Sequence, residues 1–288
     1  MSDASSPETS DFLGDNKRIV SCDLTYEVLE PSELVIQIVA AASAGEAVAE
    51  RFSATGDGSS SPSVQELRTS NGERIHVIRS EPGPLSVSYR SEILASPPRS
   101  SPSSEDTLKY ETLTYRRPRR YVPSDHLVGF AVAEFGIGTD VAARTAAIAK
   151  WIWNRISYVY GSSDVHDSAE HTLLTGMGTC RDFAHLDIAL CRATGIPPRF
   201  ASVYAPGLSP MDFHAVFEAF RDGRWFVYDA TGLAPRSSLV RIATGRDAAD
   251  TAFSAINYGV VIPQSLTVTA TVGSILPLDD LVVAMELP

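Results

Sequence analysis

Three side chains of this sequence could together form a nucleophile, a base and an orienting carboxylate: Cys180, His214 and Asp229. Cys180 follows a glycine-rich turn, "GMGT" at 176–179, and opens a run whose apolar residues recur at helical spacing, Phe183, Leu186, Leu190 and Ala193. A thiol at the first position of a helix meets the partial positive charge of the helix N-terminus, which favours an anionic nucleophile there. The turn at Gly176 and Gly178 allows backbone N–H groups to face the same point, the arrangement an oxyanion needs.

The other two residues are joined by local sequence. "HAVFEAF" and "WFVYDAT" flank Asp222-Gly223, the dipeptide that most favours a tight hairpin turn. A two- or four-residue loop pairs Phe220 with Trp225 and therefore sets Val216 opposite Asp229. His214 then lies diagonally on the same face, roughly 7–8 Å away between backbones, within reach of a carboxylate. A three-residue loop would reverse the parity and separate them. An imidazole beside a carboxylate, with a thiol within reach, is the general arrangement for covalent acyl chemistry. The imidazole takes the thiol proton, and the carboxylate holds the ring in one orientation and tautomer.

Other residues compete for roles. Asp182 and His185 lie roughly 200° and 140° around the helix from Cys180 and read as polar supports of the site. Tyr158, Tyr160, Trp151 and Phe213, together with Gly178, are candidates for a substrate wall or an oxyanion donor. "SSDVHDSAEH" at 162–171 holds two histidines and three acids, but His166 and His171 do not have the i, i+4 spacing of a helical metal pair, so a polar loop is expected. "RRPRR" at 116–120 reads as a solvated or internally paired cluster, and adjacent Ser124, Asp125 and His126 cannot converge as a serine triad.

The sequences around the three residues, "GTCRDFAHLDIALCRATGIPPRF", "FHAVFEAF" and "RWFVYDAT", resemble the bacterial transglutaminase-like family. "RRYVPSDHL", "IAKWIWNRISYVYG" and "PRSSLVRIATGRDAADTAF" resemble that family's flanking segments, and the β-rich first third resembles its N-terminal region, so the resemblance spans most of the chain. It implies a papain-like core, with Cys180 as nucleophile, His214 as base and Asp229 as orienter. It also implies acyl chemistry through a thioester on a peptide or protein substrate, with no metal and no organic cofactor. Hydrolysis of a peptide or amide bond is the expected outcome. Transfer to an amine, as in a true protein-glutamine transglutaminase, and a non-catalytic binding module are the alternatives. One departure stands out: many relatives carry Trp where this chain has Val216, a change expected to bear on the substrate channel.

The elements that must position these residues fall into two textures. Residues 18–94 are strand-rich, with "IVSCDLTYEVL", "ELVIQIVAA", "ERIHVIRS" and "LSVSYRSEIL" separated by turn clusters. Helical signals follow, first a Thr139/Asp140 cap leading to Ile148, Trp151, Ile152 and Ile156, then the run from Cys180 to its stop at Gly195. Further strands close the chain. The expectation is an α+β protein: a tail at 1–17, an antiparallel β domain and Pro/Ser-rich linker at 18–106, and a catalytic domain at 107–288 in which a Cys-bearing helix packs on an antiparallel sheet.

The 288 residues are 44% hydrophobic, enough for a real core, and the net charge of −11 speaks against a nucleic-acid partner. No secretory leader or membrane-spanning run is visible, and the three cysteines, Cys22, Cys180 and Cys191, fit a reducing compartment, so a cytoplasmic location with no membrane partner is expected.

Overall fold

The structure, a computed structural model, describes residues 16–57, 61–69, 72–96, 104–138, 140–273 and 275–287. The chain begins with six strands: β1 (Lys17–Val28), β2 (Ser32–Ile36), β3 (Glu46–Thr55), β4 (Ser63–Arg68), β5 (Arg74–Ser80) and β6 (Gly83–Leu94). Next come α1 (Glu105–Tyr115), α2 (Val128–Phe135), α3 (Val141–Arg155), β7 (Ser157–Tyr158), α4 (Ala169–Thr175), β8 (Met177–Gly178) and α5 (Cys180–Ala193). It ends with β9 (Pro198–Tyr204), β10 (Phe213–Arg221), β11 (Arg224–Tyr228), β12 (Val240–Gly245), β13 (Ser254–Tyr258) and β14 (Val261–Val272). This is the expected α+β class, with antiparallel sheets and a helical layer. Most of the expected tail, the centre of the linker and Thr139 lie outside the described residues, and Lys17 is the first residue of β1.

Two four-stranded sheets, in the orders β14-β1-β6-β3 and β13-β2-β5-β4, enclose one apolar core. Alternation explains it: in β1, Val20, Cys22, Leu24, Tyr26 and Val28 all turn inward while the residues between them stay at the surface side. The segment "SLTVTATV" differs from expectation. Placed by sequence in the 107–288 domain, it instead returns to the first sheet, with Val268 opposite Cys22 and Ala270 opposite Val20. β13 likewise joins the second sheet beside β2.

The third sheet, β11-β10-β9-β12, carries the helices. α5 packs on β10 and β9 and is buried on nearly every side, with Leu186, Ile188, Leu190 and Cys191 fully inaccessible. The helix is buried despite the polar side chains it carries, and truncating Leu186 or Leu190 to Ala would cost ~2–5 kcal/mol. The helix ends at Thr194, with Gly195 in the left-handed region at φ 83° as the C-terminal stop.

The sandwich and the third sheet are bonded to each other. The backbone N–H and hydroxyl of Thr244 both donate to Glu73 Oε1 at 2.6 Å, and the Tyr204 hydroxyl donates to the Ile38 carbonyl at 2.7 Å. Tyr204, Val240 and Ile242 enter the same apolar cluster as the β1 residues. Residues 275–287 strap the far edge: Val227 N–H donates to the Met285 carbonyl, and buried Arg236 grips Asp279 with Nε and Nη2, both at 2.8 Å. No helix among the described residues is long and apolar enough to cross a membrane.

Candidate active site

Cys180 is the first residue of α5, and the start of that helix is clamped. Asp182 Oδ2 accepts from the Thr179 backbone N–H at 2.8 Å and from the Thr179 hydroxyl at 2.9 Å. Arg181 reaches back to Ser163 Oγ at 2.7 Å and to the Asp164 carbonyl, tying the 159–168 loop to the helix start. Gly178 makes room for the clamp: a Cβ there would lie 2.7 Å from Asp182 Cβ. Its carbonyl takes the Val159 N–H at 3.0 Å. Gly178 is thus a spacer for the helix cap.

The β10–β11 hairpin has the two-residue Asp222-Gly223 loop, both residues at positive φ, and pairs Phe220 with Trp225. This register brings His214 Nε2 to 2.8 Å from Asp229 Oδ2, with both side chains buried. The second oxygen, Oδ1, is filled by the Thr231 N–H at 2.8 Å and the Thr231 hydroxyl at 2.7 Å. Asp229 therefore has one oxygen left for the ring, and Nε2 carries the proton shared between them. Thr231 was not anticipated, although Asp-Ala-Thr is the spacing at which an aspartate bonds its backbone two residues on.

Burial alone would push the His214 ring toward its neutral form. The charge and hydrogen bond of Asp229 outweigh it, the Cys180 thiol adds to them, and the imidazolium is favoured. Burial would likewise raise Asp229, but His214 and Thr231 hold it below the ordinary carboxylate range. The other ring nitrogen, Nδ1, is buried and makes no hydrogen bond. With Nε2 committed to Asp229, Nδ1 is the nitrogen left for a proton from Cys180.

Tyr158 stands against Cys180. The two-residue parallel pairing of β7 and β8 sets Tyr158 beside Gly178, and burial together with the neighbouring Cys180 thiol raises the phenol. The Cys180 backbone N–H points at the Tyr158 oxygen. The phenol thus sits as a hydrogen-bond partner of the helix start, next to the thiol. Trp151 and Tyr160 do not join them. Trp151 is wedged between Phe130 and Phe135, with ring centroids 5.5 and 6.0 Å away, and Tyr160 is 79% exposed. Neither lines the cleft at the thiol.

That cleft, of about 480 Å³, is lined by Cys180, His214, Phe213, Asp212, Phe200 and Phe253 among others, and the sandwich contributes Gln37 and Leu266 to its wall. His185, expected off the thiol's face, also lines it. Its ring stacks on Tyr121 at 5.5 Å, and Nε2 accepts the Ala248 N–H at 3.1 Å. Burial lowers it to about 3, so it stays neutral. Val216, the position of the departure from relatives, is buried in a cluster with Val203 and Val227 and does not line the cleft. Beneath the pair lies a further acid, Asp187 on α5. It is fully buried with both carboxylate oxygens unpartnered, and burial and the nearby Asp229 charge push it well above the ordinary carboxylate range.

Comparison with known proteins gives consistent findings. The family profile described as the transglutaminase-like superfamily matches residues 132–230, which include all three of Cys180, His214 and Asp229. The crystal structure of a candidate cysteine protease from Cytophaga hutchinsonii superposes with a TM-score of 0.82 at 30% identity, covering 94% of this chain and 97% of that one. An uncharacterised protein of Mycobacterium leprae is 28% identical over 149 residues, 47% of this chain and 52% of its own length. The chain thus spans about half the length of that relative.

Proposed function

The chain belongs to the transglutaminase-like superfamily, and from that membership we propose that it is a thiol enzyme that opens an amide bond through Cys180, His214 and Asp229 and passes the acyl group to water. The observation that carries this reading is the one-sided bonding of His214: Asp229 holds Nε2 at 2.8 Å while Nδ1 is left unbonded beside a half-buried thiol.

In this reading the proton of Cys180 Sγ is held on His214 Nδ1, as the favoured imidazolium requires, and Sγ attacks the amide carbon. The carbonyl oxygen takes up the negative charge and turns toward the Tyr158 hydroxyl. His214 then returns the proton to the leaving nitrogen, the C–N bond breaks, and a thioester remains on Cys180. A water molecule loses a proton to His214 and attacks the thioester, and the carboxylic acid leaves as Sγ recovers the proton. Asp229 keeps the ring oriented throughout, and Thr231 keeps Asp229 oriented. Hydrolysis is favoured over amine transfer because Cys180 is partly exposed along the cleft, and excluding water would require a closed site.

The test is turnover of glutamine-containing and simple peptide amides by wild type and Cys180→Ala, with a labelled primary amine present. Acid or cleavage products that vanish in Cys180→Ala are expected. Incorporation of the amine would redirect the reading to a transferase. Equal turnover by Cys180→Ala would overturn it.

A further inference from the structure

The cleft contains a carboxylate that the chemistry above does not use. Asp212 lies immediately before β10, two residues from His214 and so roughly 7 Å along the chain, and it lines the same cleft as Cys180. It is half-buried, and its Oδ1 accepts only the N–H of the next residue, Phe213, at 2.7 Å. Among the described residues no lysine or arginine forms an ion pair with it. Burial, opposed by that N–H and by the His214 charge, leaves its carboxyl above the ordinary range. A loop aspartate needing only a backbone bond could face water at no such cost.

The surroundings specify what would relieve it. Phe213 and Phe253 stack at 5.3 Å beside it, and Phe200 and Tyr121 also line the cleft. Aromatic faces around a carboxylate suit an organic cation. Arg181 is the only lysine or arginine lining the cleft among the described residues, and its guanidinium is already held by Ser163, Asp164 and Asp182. The chain's net charge of −11 draws cations toward it.

We propose that Asp212 is a specificity-determining residue that holds an ammonium group on the amide substrate, either a free amino terminus or a lysine side chain, within a residue or two of the amide that meets Cys180. An ammonium has no lone pair, so a group held this way is a handle on the acyl donor and not the attacking amine. The inference rests on Cys180 being the nucleophile of the proposed reaction.

Modification of Cys180 by charged reagents tests it without requiring turnover, since Cys22 and Cys191 are buried and Cys180 alone is partly exposed. The rates with 2-ammonioethyl and 2-sulfonatoethyl methanethiosulfonate are compared in wild type and Asp212→Asn. A charge-assisted hydrogen bond corresponds to about a tenfold to hundredfold effect, and the cation-to-anion rate ratio is expected to fall by that much in Asp212→Asn. A ratio unchanged within about twofold overturns the proposal. A second arm measures protection of Cys180 from uncharged methyl methanethiosulfonate by Ala-Gln-Gly-amide, acetyl-Ala-Gln-Lys-amide and acetyl-Ala-Gln-Gly-amide. Protection by the first marks an amino terminus, and protection by the second marks a lysine. Protection by none, or equally by all three, overturns the proposal. Loss of turnover in Cys180→Ala remains the separate test of the enzymatic reading.

Discussion

Strand β10 carries two buried ionic sites four residues apart, and they are built to opposite specifications. At Glu218 every charge is answered. Oε2 takes Arg199 Nε and Arg241 Nη1, both at 2.7 Å, and Oε1 takes Arg241 Nη2 at 2.9 Å. Burial would raise this carboxyl, but the two guanidinium groups outweigh it and hold it at about 2. At His214 one nitrogen is bonded to Asp229 and the other is left open toward the thiol. Both sites bear the cost of desolvation. The first closes its valences and serves the fold, whereas the second leaves one nitrogen free beside the thiol.

The two sites should therefore fail differently. His214→Ala is expected to lower turnover of a peptide amide by about 10³–10⁵-fold, the scale of losing the base of such a triad, while far-ultraviolet circular dichroism stays native. Retained turnover would erase the distinction. Glu218→Ala should remove the carboxylate that both arginines bond and cost ~3–5 kcal/mol of stability, read from denaturant midpoints. A loss under about 1 kcal/mol would show that the network is ornamental.

Titration sharpens the contrast. His214 is raised in the folded protein, so its contribution is complete below the unfolded value of ~6.5 and is lost as pH rises through the folded value of about 10. Asp229 and Glu218 are lowered, so theirs are complete above ~4 and are lost only on acidification. Melting temperature should decline between pH 6.5 and 10 in wild type, keep that decline in Arg199→Gln, and decline less steeply in His214→Asn, where Asp187 still titrates. A decline of unchanged steepness in His214→Asn assigns the alkaline instability elsewhere.

The hairpin that builds the open site was legible in the sequence because parity decides it: Asp222-Gly223 fixes the loop, and the loop fixes which face His214 and Asp229 share. α5 was legible because its apolar residues recur at helical spacing. β3 was not, since Glu46 to Arg51 are exposed on both faces and show no alternation. Nor could β14 be assigned to β1, because pairing across more than two hundred residues leaves no local trace. The Tyr158 position depends on a parallel two-residue contact with Gly178, equally non-local. Asp187 escaped notice for a different reason. A carboxylate within an apolar helix pattern reads as a surface interruption, and only the packing reveals that the helix has no surface there.

Asp187 extends the comparison to a third buried carboxyl, and one that nothing answers. Glu218 has two arginines and Asp229 has an imidazole and Thr231, whereas both oxygens of Asp187 lack a partner. It is held in the protonated form by burial first and the Asp229 charge second. Its folded value being raised, the unfolded chain releases this proton more readily than the folded one, so the side chain destabilises increasingly as pH climbs from ~4 toward the raised value. Asp187→Asn keeps the shape and removes the titration. Near pH 4 the variant and wild type should have similar stability. By pH 7 the variant should be the more stable of the two, read from denaturant midpoints. Parallel stability curves would show that Asp187 finds a partner on ionising and belongs with Glu218, whereas curves that diverge above pH 4 would make it the unpaired member of the three.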